Sequence, residues 1–170
     1  MAGSGRHLGR RGITMRGNAT VFHSGEAPPP TTTTGTDTTP VVTETYFSRV
    51  FLPANARITG LALLNGSAVA GNITGFLYDA DGVVVASTAS TAQSGTAAYQ
   101  SVALSAPVDA IGPAVYFVGW QFNNTSARFR THTLGVFTTQ KTTGGTYGTA
   151  PAMTPAGSFT TGVGPICSTY

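Results

Sequence analysis

Six acids, three histidines and one cysteine are what this chain of 170 residues offers for acid–base, metal or thiol chemistry. Catalysis by paired carboxylates needs two acids held close together with separated pKa values. Beyond Val41 the acids are Glu44, Asp79, Asp81 and Asp109. Only Asp79 and Asp81 are close in sequence, within Asp79-Ala80-Asp81-Gly82. That run begins like a calcium loop, but the later acidic ligands are missing. It reads instead as a hairpin turn, where an Asp side chain bonds nearby backbone N–H groups.

His7, His23 and His132 have no metal-ligand spacing, and a lone Cys makes neither a zinc motif nor an internal disulfide. The chain has no G-x-S-x-G elbow and no phosphate-binding G-x-x-x-x-G-K-[ST] loop. A Cys167–His132 nucleophile pair is conceivable, but Cys167 reads better as a packed thiol. The expectation is a chain without catalytic residues, metal or cofactor, and not an enzyme.

Binding chemistry has two candidates. Arg128, Arg130 and His132 alternate, so on a strand they project from one face, while Phe129, Thr131 and Thr133 point the other way. Such a strip could meet an anionic glycan, a phosphate or an acidic protein surface. It could equally be the solvated face of an edge strand, where charge blocks further pairing. The second candidate is the N-terminal segment, with Arg6, Arg10, Arg11 and Arg16 and no acid before Glu26. No aromatic interleaves these arginines before Phe22. Planar guanidinium groups dock well on carboxylates, so a protein partner is expected ahead of nucleic acid.

The elements that must carry these residues follow from composition and punctuation. Charged residues make up 9% of the chain, against about 25% in ordinary soluble domains. There is one Lys, two Glu, 29 Thr, 22 Gly and 10 Pro. Surface helices need Glu and Lys, so helix-rich folds are not expected. Residues 1–40 read as a basic arm and a Pro/Thr linker, PPPTTTTGTDTTP, netting +2 from four Arg against Glu26 and Asp37. From Val41 to Phe137 short β segments follow: Thr43–Leu52, Arg57–Leu64, Asn72–Tyr78, Val83–Thr88, Ala98–Leu104, Ala114–Phe122 and Arg128–Phe137.

Turn chemistry separates these runs, and no helical pattern intervenes. The fold expected is all-β: a single antiparallel, jelly-roll-like β-sandwich with extended N-terminal and C-terminal arms. Its expected core includes Leu61, Leu63, Ile73, Leu77, Val85, Val102, Leu104, Val115, Phe117 and Phe129. Ala114–Phe122 is apolar on both faces. It should be a central strand covered on one side by the opposing sheet and on the other by a loop or a neighbouring subunit. Residues 138–170, again rich in Thr, Gly and Pro, read as an extended C-terminal arm with apolar anchors. No Sec-type signal is visible in the first 25 residues, and no run approaches the ~18 apolar residues of a membrane helix.

The runs RITGLALLNGSAVAGNITGFLYDADGVVVASTA and APVDAIGPAVYFVGWQFNNTSARFRTH, with FTTGVGPICSTY, resemble β-sandwich accessory proteins of tailed-phage virions. The resemblance covers residues 44–170 and is one of texture. It implies a structural role on the particle surface, such as capsid decoration or cementing. Its partners would be the major capsid protein or other virion proteins, with a homo-oligomer or lattice neighbours. It transfers no catalytic residue. On this reading Arg6, Arg10, Arg11, Arg16 and Phe22 are the partner-binding residues. A tail-associated receptor- or glycan-binding sandwich is the alternative.

Overall fold

Thr45–Leu52 (β3) is rich in aromatic and β-branched residues and ends at Pro53, which has no N–H to continue a ladder. Eight of its residues face β9 (Ala114–Phe122), from Thr45 opposite Gln121 to Leu52 opposite Ala114. Inside that pair, β4 (Ala56–Leu64) runs antiparallel to β8 (Tyr99–Ala110). Inside that again, β5 (Asn72–Tyr78) pairs with β6 (Val84–Ser87) and β7 (Thr91–Ala92). The chain is thus a nested set of antiparallel pairs. It rolls up so that β5 also lies against β9, which is the jelly-roll way of wrapping a long hairpin.

The structure is a computed structural model that describes residues 21–24, 35–132, 139–155 and 162–170. Three further pairings complete it. β1 (Phe22–His23) pairs with β12 (Cys167–Thr169), β2 (Thr36–Thr38) with β10 (Phe129–Thr131), and β11 (Thr139–Thr142) with β3. One sheet has the order β1-β12-β4-β8. The other has β11-β3-β9-β5-β6, with β7 also on β5, and β10-β2 form a two-stranded piece. Every pairing is antiparallel, and no helix occurs among the described residues. Isolated bridges join the two main sheets at both sides, Ser24 to Val50 and Thr88 to Leu104.

The core between the sheets contains Leu61, Leu63, Ile73, Leu77, Val102, Leu104, Val118, Trp120, Phe122 and Phe129. Phe122 and Phe129 stack with ring centroids 4.7 Å apart, and Tyr46 leans on Phe129 at 4.9 Å. On β9 the residues facing this core are Tyr116, Val118, Trp120 and Phe122. Val115 and Phe117 were expected there and lie on the opposite face instead. They join Phe47, Phe76, Tyr78 and Met153 in a second apolar cluster. The cover is a loop of the same chain: Met153 packs in, and Pro151 O accepts from the Tyr78 hydroxyl at 3.1 Å.

Val85 is a second correction. It is 39% exposed, not core. A register shift between Leu77 and Tyr78 in the β5–β6 pair breaks the alternation that placed it inside.

The boundaries expected at 40/41 and 137/138 are also crossed by strand pairing. β12 lies between β1 and β4, so residues 167–169 are an internal strand rather than part of an extended arm. β11 adds to the second sheet. Tyr170 folds back on β4: its carbonyl accepts from Thr59 N and Gly60 N. Its ring occupies the space a side chain at position 60 would need, which is why that position holds Gly.

Candidate functional site

β10 presents the basic strip much as its alternation demands. Phe129 and Thr131 are fully buried, and Arg128, Arg130 and His132 lie on the other side, half-buried. The three side chains are engaged within the molecule. Arg128 Nη1 donates to Thr125 O at 3.3 Å and Ala127 O at 2.9 Å. Arg130 Nε lies 3.9 Å from Asp37 Oδ1, with its side chain 17% exposed. Asp37 Oδ1 also accepts from Ser67 N at 3.0 Å, and its other oxygen takes the Ser67 hydroxyl. Burial alone would raise the Asp37 carboxyl. The Ser67 hydrogen bonds and the Arg130 and Arg128 charges outweigh it and hold the group below its ordinary value. The strip therefore clamps residues 36–38 and the loop at Ser67 onto β10.

The third member of the strip points to another junction. His132 Nε2 lies 2.9 Å from Ser24 Oγ. Ser24 Oγ also accepts from Cys167 N at 2.9 Å and reaches Pro165 O at 3.4 Å. So the chain does bring His132 and Cys167 to one place, with a serine between them. Cys167 is wholly buried, and burial pushes its thiol up to about 12. Such a thiol stays protonated at neutral pH, and the thiolate is the nucleophile. Burial also lowers the imidazoles of His132 and His23. His23 meets Tyr99 edge-on at 5.9 Å. What this cluster does chemically is anchor β1 to β12 and to the segment after β10. Phe22, expected to bind a partner from the arm, is half-buried and packs against the core. Arg6, Arg10, Arg11 and Arg16 lie outside the described residues.

The Asp79 turn behaves as its sequence suggests. Asp79 Oδ1 accepts from Asp81 N at 3.0 Å and Val83 N at 2.9 Å. Gly82 has φ +83°, the left-handed conformation this turn requires. Among the described residues no group of three or more His, Cys, Asp or Glu could hold a metal ion. No helix among them is long and apolar enough to cross a membrane.

One polar centre has no signature in the sequence. Buried Glu44 accepts from Lys141 Nζ at 2.7 Å and from the Tyr46 hydroxyl at 2.5 Å. Burial first, and then the hydrogen bond to Glu44, raise Tyr46 above its ordinary value. The partners lie 97 residues apart, so no motif could announce them.

Two surface features among the described residues could take part in binding. A shallow open depression of about 330 Å³ is lined by Asn55, Ala56, Arg57, Asp109, Ala110 and Ile111. Its one ion pair, Arg57 with Asp109 at 3.3 Å, stands in solvent. The other is the outer edge of the β5–β6 hairpin, where Val83, Val84 and Val85 are 59%, 40% and 39% exposed. Comparison with protein-family models, curated proteins and solved structures finds no match for this chain.

Proposed function

We propose that this chain is a structural virion protein of a tailed phage, which decorates or cements the capsid and binds through its N-terminal arm. The observation that carries the reading is how residues 21–24 enter the sandwich. β1 is paired into a sheet, Phe22 lies against the core, and Ser24 is bonded to Cys167 and His132. The four arginines before it are thereby joined to a packed body, so a force on the arm reaches the whole sandwich. The resemblance of residues 44–170 to virion accessory proteins supports the same role. Its partners are the major capsid protein or other virion proteins, and its place is the particle surface.

Fully extended, the 20 residues before Val21 span up to about 70 Å, enough to pass a near neighbour. Exposed arginine pairs contribute at most about 1 kcal/mol each, less than the cost of ordering such a segment. Binding must therefore also bury Leu8, Ile13 and Met15 and form backbone hydrogen bonds. The test is occupancy on particles that lack the protein. Replacing Arg6, Arg10, Arg11 and Arg16 by Ala should lower copies per particle and flatten the salt dependence. Full occupancy by that variant overturns the arm as anchor.

A tail-associated glycan-binding module is the second reading. Tyr147 supports it: this loop aromatic bonds Ser90 Oγ at 2.9 Å, and Ser90 in turn takes Asn72 Nδ2 at 3.1 Å. Aromatic rings with adjacent amides and hydroxyls are what sugars stack and bond upon. Glycan-array binding lost on Tyr147→Ala would favour it over the first.

A further inference from the structure

At one end of the sandwich two turns meet. Residues 53–55 join β3 to β4, and residues 111–113 join β8 to β9. Gly112 N donates to Asn55 Oδ1 at 2.8 Å. The two backbones come so close that a side chain at position 112 would strike Ala54. The buried Tyr116 grips Ile111 from within: its hydroxyl accepts from Ile111 N at 3.1 Å and donates to Ile111 O at 3.3 Å. The loop is held firmly, yet it keeps the Ile111 side chain in water. At 74% exposed, Ile111 is the most exposed large apolar residue among those described.

Beside this knob lies the open depression of about 330 Å³. Arg57 and Asp109 line it, directly opposite each other in the β4–β8 ladder, with side chains 64% and 81% exposed. No other charged residue among those described lines it. The patch therefore carries a knob, a recess, a cation and an anion. Its charges cancel, although the chain nets +3. We propose that this end of the sandwich is a two-fold contact between two copies of the chain: Ile111 of each enters the depression of the other, and Arg57 of each pairs with Asp109 of the other.

A two-fold contact uses the same surface on both partners, so that surface must be complementary to itself. This one holds both halves of each contact, which a surface fitted to a different partner has no need to do. Within one copy the Arg57–Asp109 pair stands in solvent and contributes little. Across the contact the same charges set the register of the two bodies. The loop around Ile111 is already ordered, which lowers the entropy lost on association. Pro53, Ala54 and Pro113, exposed on the same two turns, widen the patch toward the roughly 800 Å² per partner of a stable contact. The inference goes beyond the arm reading and uses no residue of the arm. β8 and β1 are the opposite edges of the first sheet, so the contact leaves both arms free. One dimer then offers two anchors to a particle, and the second binds from a raised local concentration.

The experiment is sedimentation and light-scattering mass on full-length variants. The wild-type chain should pass from monomer to dimer as its concentration rises. Ile111→Asp should weaken association at least about tenfold, because each change enters a two-fold contact twice. Arg57→Asp and Asp109→Arg should each do the same alone, by setting like charges face to face. Mixed, these two should recover a 1:1 heterodimer as tight as wild type, since one copy brings two acids and the other two cations. A chain carrying both exchanges should dimerise with itself. All three positions are exposed, so melting temperatures should stay close to wild type and confirm that each variant folds. A wild-type chain monomeric at every concentration, an Ile111→Asp chain that dimerises like wild type, or a mixture that stays monomeric overturns the proposal. Replacing the four arm arginines by Ala should leave the dimer intact. If the wild-type chain is monomeric while particle occupancy still needs those arginines, the inference fails and the proposed role stands.

Discussion

Ser24 Oγ lies 2.9 Å from His132 Nε2 and accepts from Cys167 N at 2.9 Å, so one hydroxyl ties together three segments far apart in the chain. Ser24 is 3% exposed. Removing its oxygen leaves a buried N–H without its acceptor, and that cost exceeds the net value of an ordinary hydrogen bond. Ser24→Ala should destabilise the fold by about 1–3 kcal/mol in urea unfolding. Unchanged stability would mean that the junction is not closed in solution.

The same junction predicts a pH dependence. The folded state holds His132 and His23 below the ordinary histidine value because burial disfavours the imidazolium. As pH falls through about 6.5, the unfolded chain takes up these protons first. Stability should therefore be full above that pH and decline as pH drops toward the lower folded-state values. Asp37, also lowered, adds a separate loss below about pH 4. Urea midpoints across this range read both steps, and His132→Gln should flatten the first.

Lys141→Ala should cost about 1–3 kcal/mol, since it strips a buried carboxylate of a charged partner. Glu44→Gln should be milder, because an amide still offers an oxygen to the Tyr46 hydroxyl. Denaturant unfolding of the two variants ranks them. The reverse order would show that the carboxylate, not its pairing, is what matters.

Gly82→Val should cost about 1–2 kcal/mol for the left-handed backbone alone. A side chain there also meets Met153 O, so the loop over the second apolar cluster must shift. Melting temperature and protease cleavage within residues 143–155 should therefore change together. Calcium should leave the melting temperature of the wild-type chain unchanged. A calcium-dependent rise abolished by Asp79→Ala would overturn the turn reading.

Two truncations separate arm from sandwich. Deleting residues 1–20 should leave the melting temperature within a few degrees of the full chain, because β1 and its contacts survive. Deleting residues 1–40 removes Phe22, Ser24 and Asp37, and should lower it sharply. Equal melting temperatures would show that β1 and β2 add nothing to the fold.

Two long elements were readable in advance because period and punctuation agreed, whereas the longest, β8, continues to Ala110 past the Leu104 where its expected segment stops. Asn72–Tyr78 and Ala114–Phe122 begin and end where their alternation and turn residues say. β1, β2, β7, β11 and β12 were not readable. Each has two to four residues, too few to show a period, and is a strand only because distant segments offer a ladder. Phe117 shows another limit: where both faces of a strand are buried, alternation cannot say which face meets the opposing sheet. The basic strip was legible as a strip, but its use was not. Asp37 and Ser24, which occupy Arg130 and His132, sit in stretches that read as arm and linker.

The place of β12 between β1 and β4 also fixes an order of events during synthesis. β1 leaves the ribosome more than 140 residues ahead of its strand partner, residues 167–169. Contacts of such long sequence separation form slowly, since the intervening chain must be closed into a loop first. An interrupted chain could hold the hairpins from β3 to β9 and still have no seat for β1. On such a chain the basic segment would hang from an unfinished body, so only a full-length copy presents it from a fixed base.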